Sequence, residues 1–207
     1  MKLEICANSY QSAINAQKAG ADSIDLCSEL YVGGITPSYG LLKKVSQEIT
    51  IPVNVLIRPR SGHFCYTDEE FLLMKENINL CKELNFNGIV SGVLNPDNTI
   101  DIERTKELIA VSKPLSFTFH RAFDCVENSK EALKILIDLG VHLVLTSGKQ
   151  EKAALGIELL KELQQLAKGS IIILPGSGIN ATNALLFKNA RFHQIHSSAS
   201  KIISKKR

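Results

Sequence analysis

This 207-residue chain has no CxxC pair, no apolar run long enough to span a bilayer, no strong charge bias and no linker or low-complexity segment. Its five cysteines, Cys6, Cys27, Cys65, Cys81 and Cys125, are odd in number and widely spaced. That usage fits reduced thiols in a cytosolic protein. The start Met1-Lys2-Leu3-Glu4-Ile5 runs straight into a strand pattern with no signal peptide, so a cytoplasmic location is expected. The missing apolar run excludes a helical membrane span. A net charge of +3 is too small to point to nucleic acid. The Lys and Arg residues are dispersed except at Lys205-Lys206-Arg207, which reads as a solvated terminus or, less simply, an anionic-surface contact. Without a linker, residues 1–207 are expected to form one domain. A content of 44% hydrophobic and 22% charged residues rules out disorder.

What the chain does have is a cadence. Eight apolar, β-branched runs each stop abruptly in polar or reactive residues, and an amphipathic stretch follows each one. The stops are Cys6-Ala7-Asn8-Ser9, Asp25-Leu26-Cys27, Arg58-Pro59-Arg60, Ser91-Gly92, His120-Arg121, Thr146-Ser147-Gly148, Gly176-Ser177-Gly178 and His196-Ser197-Ser198. Strand–helix repeats of this length build a parallel sheet, and eight of them can close an α/β barrel of the TIM (β/α)8 type. The length is short for that fold, so loops must be brief and the final helix short. The pattern predicts strands near 2–7, 22–27, 52–58, 88–94, 115–120, 141–146, 171–174 and 192–196. Helices are predicted over 9–19, 37–48, 67–84, 101–112, 127–139, 151–168 and 181–189, with a basic helix at the end. Thr67 and Glu70 have the spacing of a capping box, and Asn180 is placed to cap the seventh helix.

Alternation along strands sorts the side chains. The outer face must pack against helices, so it takes Leu3, Ile5, Ile24, Val53, Val55, Phe117, Phe119 and Ile195. The inner face then takes Glu4, Cys6, Asp25, Cys27, Asn54, Leu56, Arg58, Arg60, Thr118, His120, Gln194 and His196. Buried charges are costly, so these groups must pair with each other or with a ligand. An acid–base network with a purely structural role is the plainer alternative.

The blocks LEIC (3–6), GAD (20–22), GGITPS (33–38), IRPR (57–60), FCY (64–66), SGVL (91–94), FHRAFD (119–124), LTSG (145–148) and HSS (196–198) resemble the CutC copper-homeostasis family over nearly the whole length. The resemblance implies a TIM barrel, a cytoplasmic location and a role in copper handling. Two positions depart from it: Asp25 stands where Glu is expected, and Gln194 where an acid is common. Cys6 and Cys27 are the candidate ligands that match best. They end adjacent strands about 4.8 Å apart, and soft thiolates select Cu(I). The alternative for both is that of small buried hydrophobes. Cys65, on the third loop, is a further candidate ligand.

A reading from another class rests on anion-binding groups. Gly176 and Gly178 follow strand seven, and Ser197 and Ser198 follow strand eight. Barrels commonly bind phosphate with these loops and a helix N-terminus. Arg58, Arg60 and Arg121 could add charge-assisted bonds, although such arginines can also simply brace loops. His120 would act as acid or base, with Glu4 or Asp25 as its partner. The chain would then be a lyase or isomerase acting on a small phosphorylated or carboxylated substrate. A third reading makes Tyr31-Val32-Gly33-Gly34, with Phe64 and Tyr66, an interface of a homo-oligomer.

Overall fold

The computed structural model describes residues 1–200. The expected basic final helix and the tail Lys205-Lys206-Arg207 lie outside the described residues. Eight parallel strands form one sheet in the order β7-β6-β5-β4-β3-β2-β1-β8. They are β1 Lys2–Ala7, β2 Ser23–Leu26, β3 Val53–Leu56, β4 Gly88–Ser91, β5 Ser116–Phe119, β6 Leu143–Thr146, β7 Ile172–Pro175 and β8 Gln194–Ser197. Pairing of β1 with both β2 and β8 brings the first strand beside the last. β7 and β8 also lie against each other, so the sheet curls into a nearly closed TIM barrel.

Helices α1 Tyr10–Lys18, α2 Tyr39–Glu48, α3 Asp68–Glu83, α4 Ile102–Ser112, α5 Ser129–Asp138, α6 Ile157–Ala167 and α7 Ala184–Asn189 alternate with the strands. Side-chain oxygens of Ser9, Ser38, Asp101 and Asn128 cap α1, α2, α4 and α5. Each such cap satisfies a backbone N–H that the helix leaves free. The Thr67–Glu70 capping box forms in both directions at the start of α3.

Two helices begin later than the pattern predicts. α6 starts at Ile157, not 151, because residues 151–156 form turns against the sheet: Ala153 N–H donates to the Ser177 carbonyl at 3.0 Å. α7 starts at Ala184, because the Asn180 side chain accepts from Thr182 N–H at 2.9 Å and makes a local turn in place of the cap. A 3-10 turn over Arg121–Cys125 was not foreseen; the His120 side chain caps it.

The two strand faces belong to separate apolar clusters. Ile5, Ile24, Val55, Ile89, Phe117, Val144, Ile173 and Ile195 belong to the continuous core that also holds helix residues such as Leu42, Met74 and Leu133. Each large side chain buried this way contributes about 1.5–3 kcal/mol. Cys6, Cys27, Leu56 and Val90 form a second, small cluster. Where polar side chains crowd the interior, glycine makes room: a Cβ on Gly88 would come within 2.3 Å of Ser116 Oγ and 2.4 Å of Asn54 Oδ1.

Gly88→Ala is therefore expected to destabilise the barrel by about 1–3 kcal/mol through overpacking. Urea unfolding checks this; a midpoint equal to that of the unaltered chain would show that Ser116 and Asn54 move aside freely.

Candidate functional site

The strands deliver their inward residues to a cavity of about 470 Å³ at their C-terminal ends. Cys6, Asp25, Cys27, Arg58, His120 and His196 line it, with Leu56, Val90 and Leu145 as apolar wall. This is the expected end of the barrel.

Below the mouth lies a paired acid–base cluster. His196 Nδ1 meets Glu4 Oε1 at 3.0 Å. The other Glu4 oxygen accepts from Asn54 Nδ2 at 2.8 Å and Ser23 Oγ at 3.3 Å. Burial opposes a charged His196, but the hydrogen bond to Glu4 and the charges of Glu4 and Asp25 override it and raise its pKa. Asp25 is 4% exposed, and its Oδ1 has no hydrogen-bond partner. Burial pushes its pKa up to about 7; His196 opposes that rise and Glu4 adds to it. Glu4 thus holds His196 in place and does not line the cavity itself.

Beside this cluster the two thiols converge. Cys6 Sγ and Cys27 Sγ are 3.5 Å apart, and both residues are buried. The hydrogen bond to Cys27, burial and the nearby acid Asp25 hold the Cys6 thiol well above its ordinary pKa. Cys6, Asp25 and His196 also place one ligand atom each within 4.8 Å of one another. Gly34 covers the pair: a Cβ there would lie 3.3 Å from Cys27 Cβ and 2.6 Å from Leu56 Cδ2. Of the remaining cysteines, Cys125 is exposed and lines the same cavity, whereas half-buried Cys65 and Cys81, buried within α3, do not.

Arg58 and His120 occupy the wall near Phe64. Arg58 Nη1 donates to the Val32 and Gly34 carbonyls at 2.9 Å, and Nη2 donates to the Gly62 carbonyl at 2.8 Å. The guanidinium thereby ties loop 28–36 to loop 59–66. His120 Nδ1 accepts from Ala122 N–H at 3.2 Å. Burial and the charge of Arg58 push its pKa down to about 3. The neutral ring therefore carries its proton on Nε2.

The anion-binding set is only partly assembled. Gly178 and Ser198 line the cavity, as does Arg121, which donates to Asp124 at 2.8 Å and to Ser147 Oγ at 3.0 Å. Ser197 is turned away, its hydroxyl donating to the Ile179 carbonyl at 2.6 Å. Gly176 is packed against Leu145 and His196 and contributes no lining. Arg60 does not reach the cavity: it pairs with Glu70 at 2.5 Å and donates to the His63 and Cys65 carbonyls. β3 ends at Leu56, so alternation stops carrying side chains inward before position 60. The helix N-terminus invoked for phosphate is also missing there, since α7 is six residues long and begins at Ala184.

Two contributors escaped the sequence reading of the site. Asp124 gathers Thr146 Oγ1, Ser147 N–H and Arg121 at the cavity edge. Phe64 sits 4.8 Å from the His120 ring and 4.9 Å from the Arg58 guanidinium. The block FHRAFD held the signal for the first; nothing in periodicity marks the second. Of the expected interface, Tyr31 and Val32 are exposed, whereas Tyr66 is buried.

Residues 1–201 match the model of the CutC family. A CutC family protein of Salmonella typhi is 48% identical over 198 residues, covering 95% of this chain and 76% of the relative. One from Klebsiella pneumoniae strain 342 is 46% identical over 198 residues, covering 95% and 79%. The crystal structure of CutC from Streptococcus agalactiae, a protein named for copper homeostasis, superposes with a TM-score of 0.91 at 33% identity, covering 97% of this chain and all of that one. A 2,3-dimethylmalate lyase shares the fold at a TM-score of 0.69 and 12% identity, covering 97% and 76%.

The depressed His120 pKa carries a sign. The unfolded chain takes up a proton near the ordinary value of 6.5, whereas the fold resists until about 3. The stability this neutral ring contributes is complete above 6.5 and is lost as pH falls toward 3. His120→Asn keeps an acceptor for Ala122 N–H and removes the titration. Chemical unfolding at several pH values is expected to show the unaltered chain losing stability toward acid more steeply than this variant; parallel curves would contradict a buried neutral ring.

Proposed function

The chain belongs to the CutC family, and on that premise we propose that it handles copper by holding Cu(I) between Cys6 and Cys27. The observation that carries this reading is the 3.5 Å separation of two buried thiols at the barrel mouth. Thiolates are soft donors suited to Cu(I). Leu56 and Val90 pack against both sulfurs' residues and keep that side dry. His196 and Asp25 stand close enough to Cys6 to add a third donor. The copper-homeostasis name given to the Streptococcus agalactiae protein fits a copper role, though it names no ligands. A reducing cytoplasm is the compartment this chemistry requires, and the cysteines are free thiols. Among the described residues, no helix is long and apolar enough to cross a membrane.

A second reading has its own observation. Asp25 Oδ1, Arg58 Nε and His120 Nε2 are buried without partners, and all three residues line the cavity. That arrangement suits a small anionic substrate, with lyase or isomerase chemistry at the barrel mouth.

Copper binding must displace thiol protons. Because the Cys6 pKa is raised, protons compete with the metal across the neutral range. Apparent Cu(I) affinity is therefore expected to rise with pH, by roughly tenfold per unit for each proton displaced. Titration of the reduced protein against a competing Cu(I) chelator checks this. Cys6→Ala and Cys27→Ala should each abolish one-to-one binding. Equal uptake by the double variant would sink the copper reading.

A further inference from the structure

Buried polar atoms without partners are few in folded proteins, and each calls for an explanation. Arg58 is the strongest case in this chain. It is 5% exposed, and its guanidinium lies on the Phe64 ring. Its Nη atoms bond only to neutral carbonyls, those of Val32, Gly34 and Gly62. Among the described residues no carboxylate oxygen lies within 4.0 Å of it. A full positive charge is therefore buried without a counter-charge, which is costly unless an anion completes it. Neither its Nε–H nor the nearby buried Tyr66 hydroxyl, on which the guanidinium acts, has a hydrogen-bond partner within 3.5 Å.

His120 offers the second free donor. Its Nδ1 is taken by Ala122 N–H, so the neutral ring has its proton on Nε2, which is buried and unpartnered. Both donors belong to side chains that flank the same aromatic ring: Phe64 is 4.8 Å from the imidazole and 4.9 Å from the guanidinium.

We infer that Arg58 Nε–H and His120 Nε2–H form a subsite for the carboxylate of a small organic acid, with Phe64 against its carbon skeleton. Two donors suit the two oxygens of one carboxylate, and charge-assisted bonds of this kind are the strong ones. A phosphate is a poorer match. The hydroxyls that would serve it are already engaged: Ser177 Oγ donates to the Glu151 carbonyl and Ser197 Oγ to the Ile179 carbonyl. Asp25 and His196 line the same cavity and form a second polar group, suited to a hydroxyl or oxo group of the acid. A cavity of about 470 Å³ has ample room for such an acid. This assignment rests on the small-anion reading of the cavity and requires neither copper nor turnover.

The test is calorimetric titration of the metal-free, chelator-treated protein with lactate, pyruvate and malate at millimolar concentration. Inorganic phosphate and chloride at matched ionic strength form the comparison arms. Saturable one-to-one binding of at least one carboxylate is expected. His120→Asn keeps the bond to Ala122 N–H but withdraws the ring donor, and should weaken binding roughly ten- to hundredfold. Arg58→Lys keeps the charge and loses Nε–H, with a similar expected loss; circular dichroism verifies that the variant is folded. Lys130→Ala, on the exposed face of α5 and outside the cavity, should bind as the unaltered chain does. The inference is overturned if no carboxylate binds, if His120→Asn binds equally well, or if phosphate alone saturates the site. Carboxylate binding without turnover of any acid tested would leave the subsite standing and remove the lyase or isomerase reading. Turnover of a phosphorylated substrate that ignores both substitutions would do the reverse.

Discussion

The hydrogen bond between Glu4 and His196 joins the first strand to the last from inside the barrel, at 3.0 Å. The same carboxylate accepts from Ser23 on β2 and Asn54 on β3. One buried side chain thus connects β8, β1, β2 and β3. The rest of the mouth leans on it: it fixes the imidazole that faces the cavity and adds to the negative field that Asp25 and Cys6 experience. Breaking a buried pair by removing one partner generally costs about 3–5 kcal/mol, because the remaining charge is left uncompensated. The closure of the sheet and the electrostatics of the site are therefore one arrangement.

Charge is settled near the floor of this barrel and unsettled near its rim. Glu4 is surrounded by donors, whereas Asp25, Arg58 and His120 each retain an atom with no partner. Burial acts oppositely on the two titrating groups, raising the pKa of Asp25 and lowering that of His120, because it disfavours whichever form is charged. The soft donors sit with the acids, by β1 and β2, and the N–H donors sit by Phe64. The two halves of the mouth thus favour ligands of opposite charge.

The strand–helix cadence and the alternation of side chains were legible because both follow from backbone geometry. Glu4, Cys6, Asp25, Leu56, His120 and His196 could be assigned inward from parity alone. Arg60 shows where that logic stops. Parity holds only while the chain is extended, and after Leu56 the backbone leaves the strand, so Arg60 pairs with Glu70 outside the cavity. The late starts of α6 and α7 have a similar origin, since turns made by Gly156 and Asn180 compete with helix in ways that hydrophobic period does not register. Nor could the pattern tell which inward polar atoms would be satisfied. That depends on loops 28–36 and 59–66, whose carbonyls occupy Arg58 and whose Phe64 shapes the wall.

The threefold anchoring of those loops by Arg58 has a consequence for descent. Each loop offers its carbonyls to the same guanidinium, so a change of length in either one loosens the grip on both. The two segments cannot drift as separate modules, although more than twenty residues part them in the chain. Variation in one loop should therefore be inherited together with variation in the other.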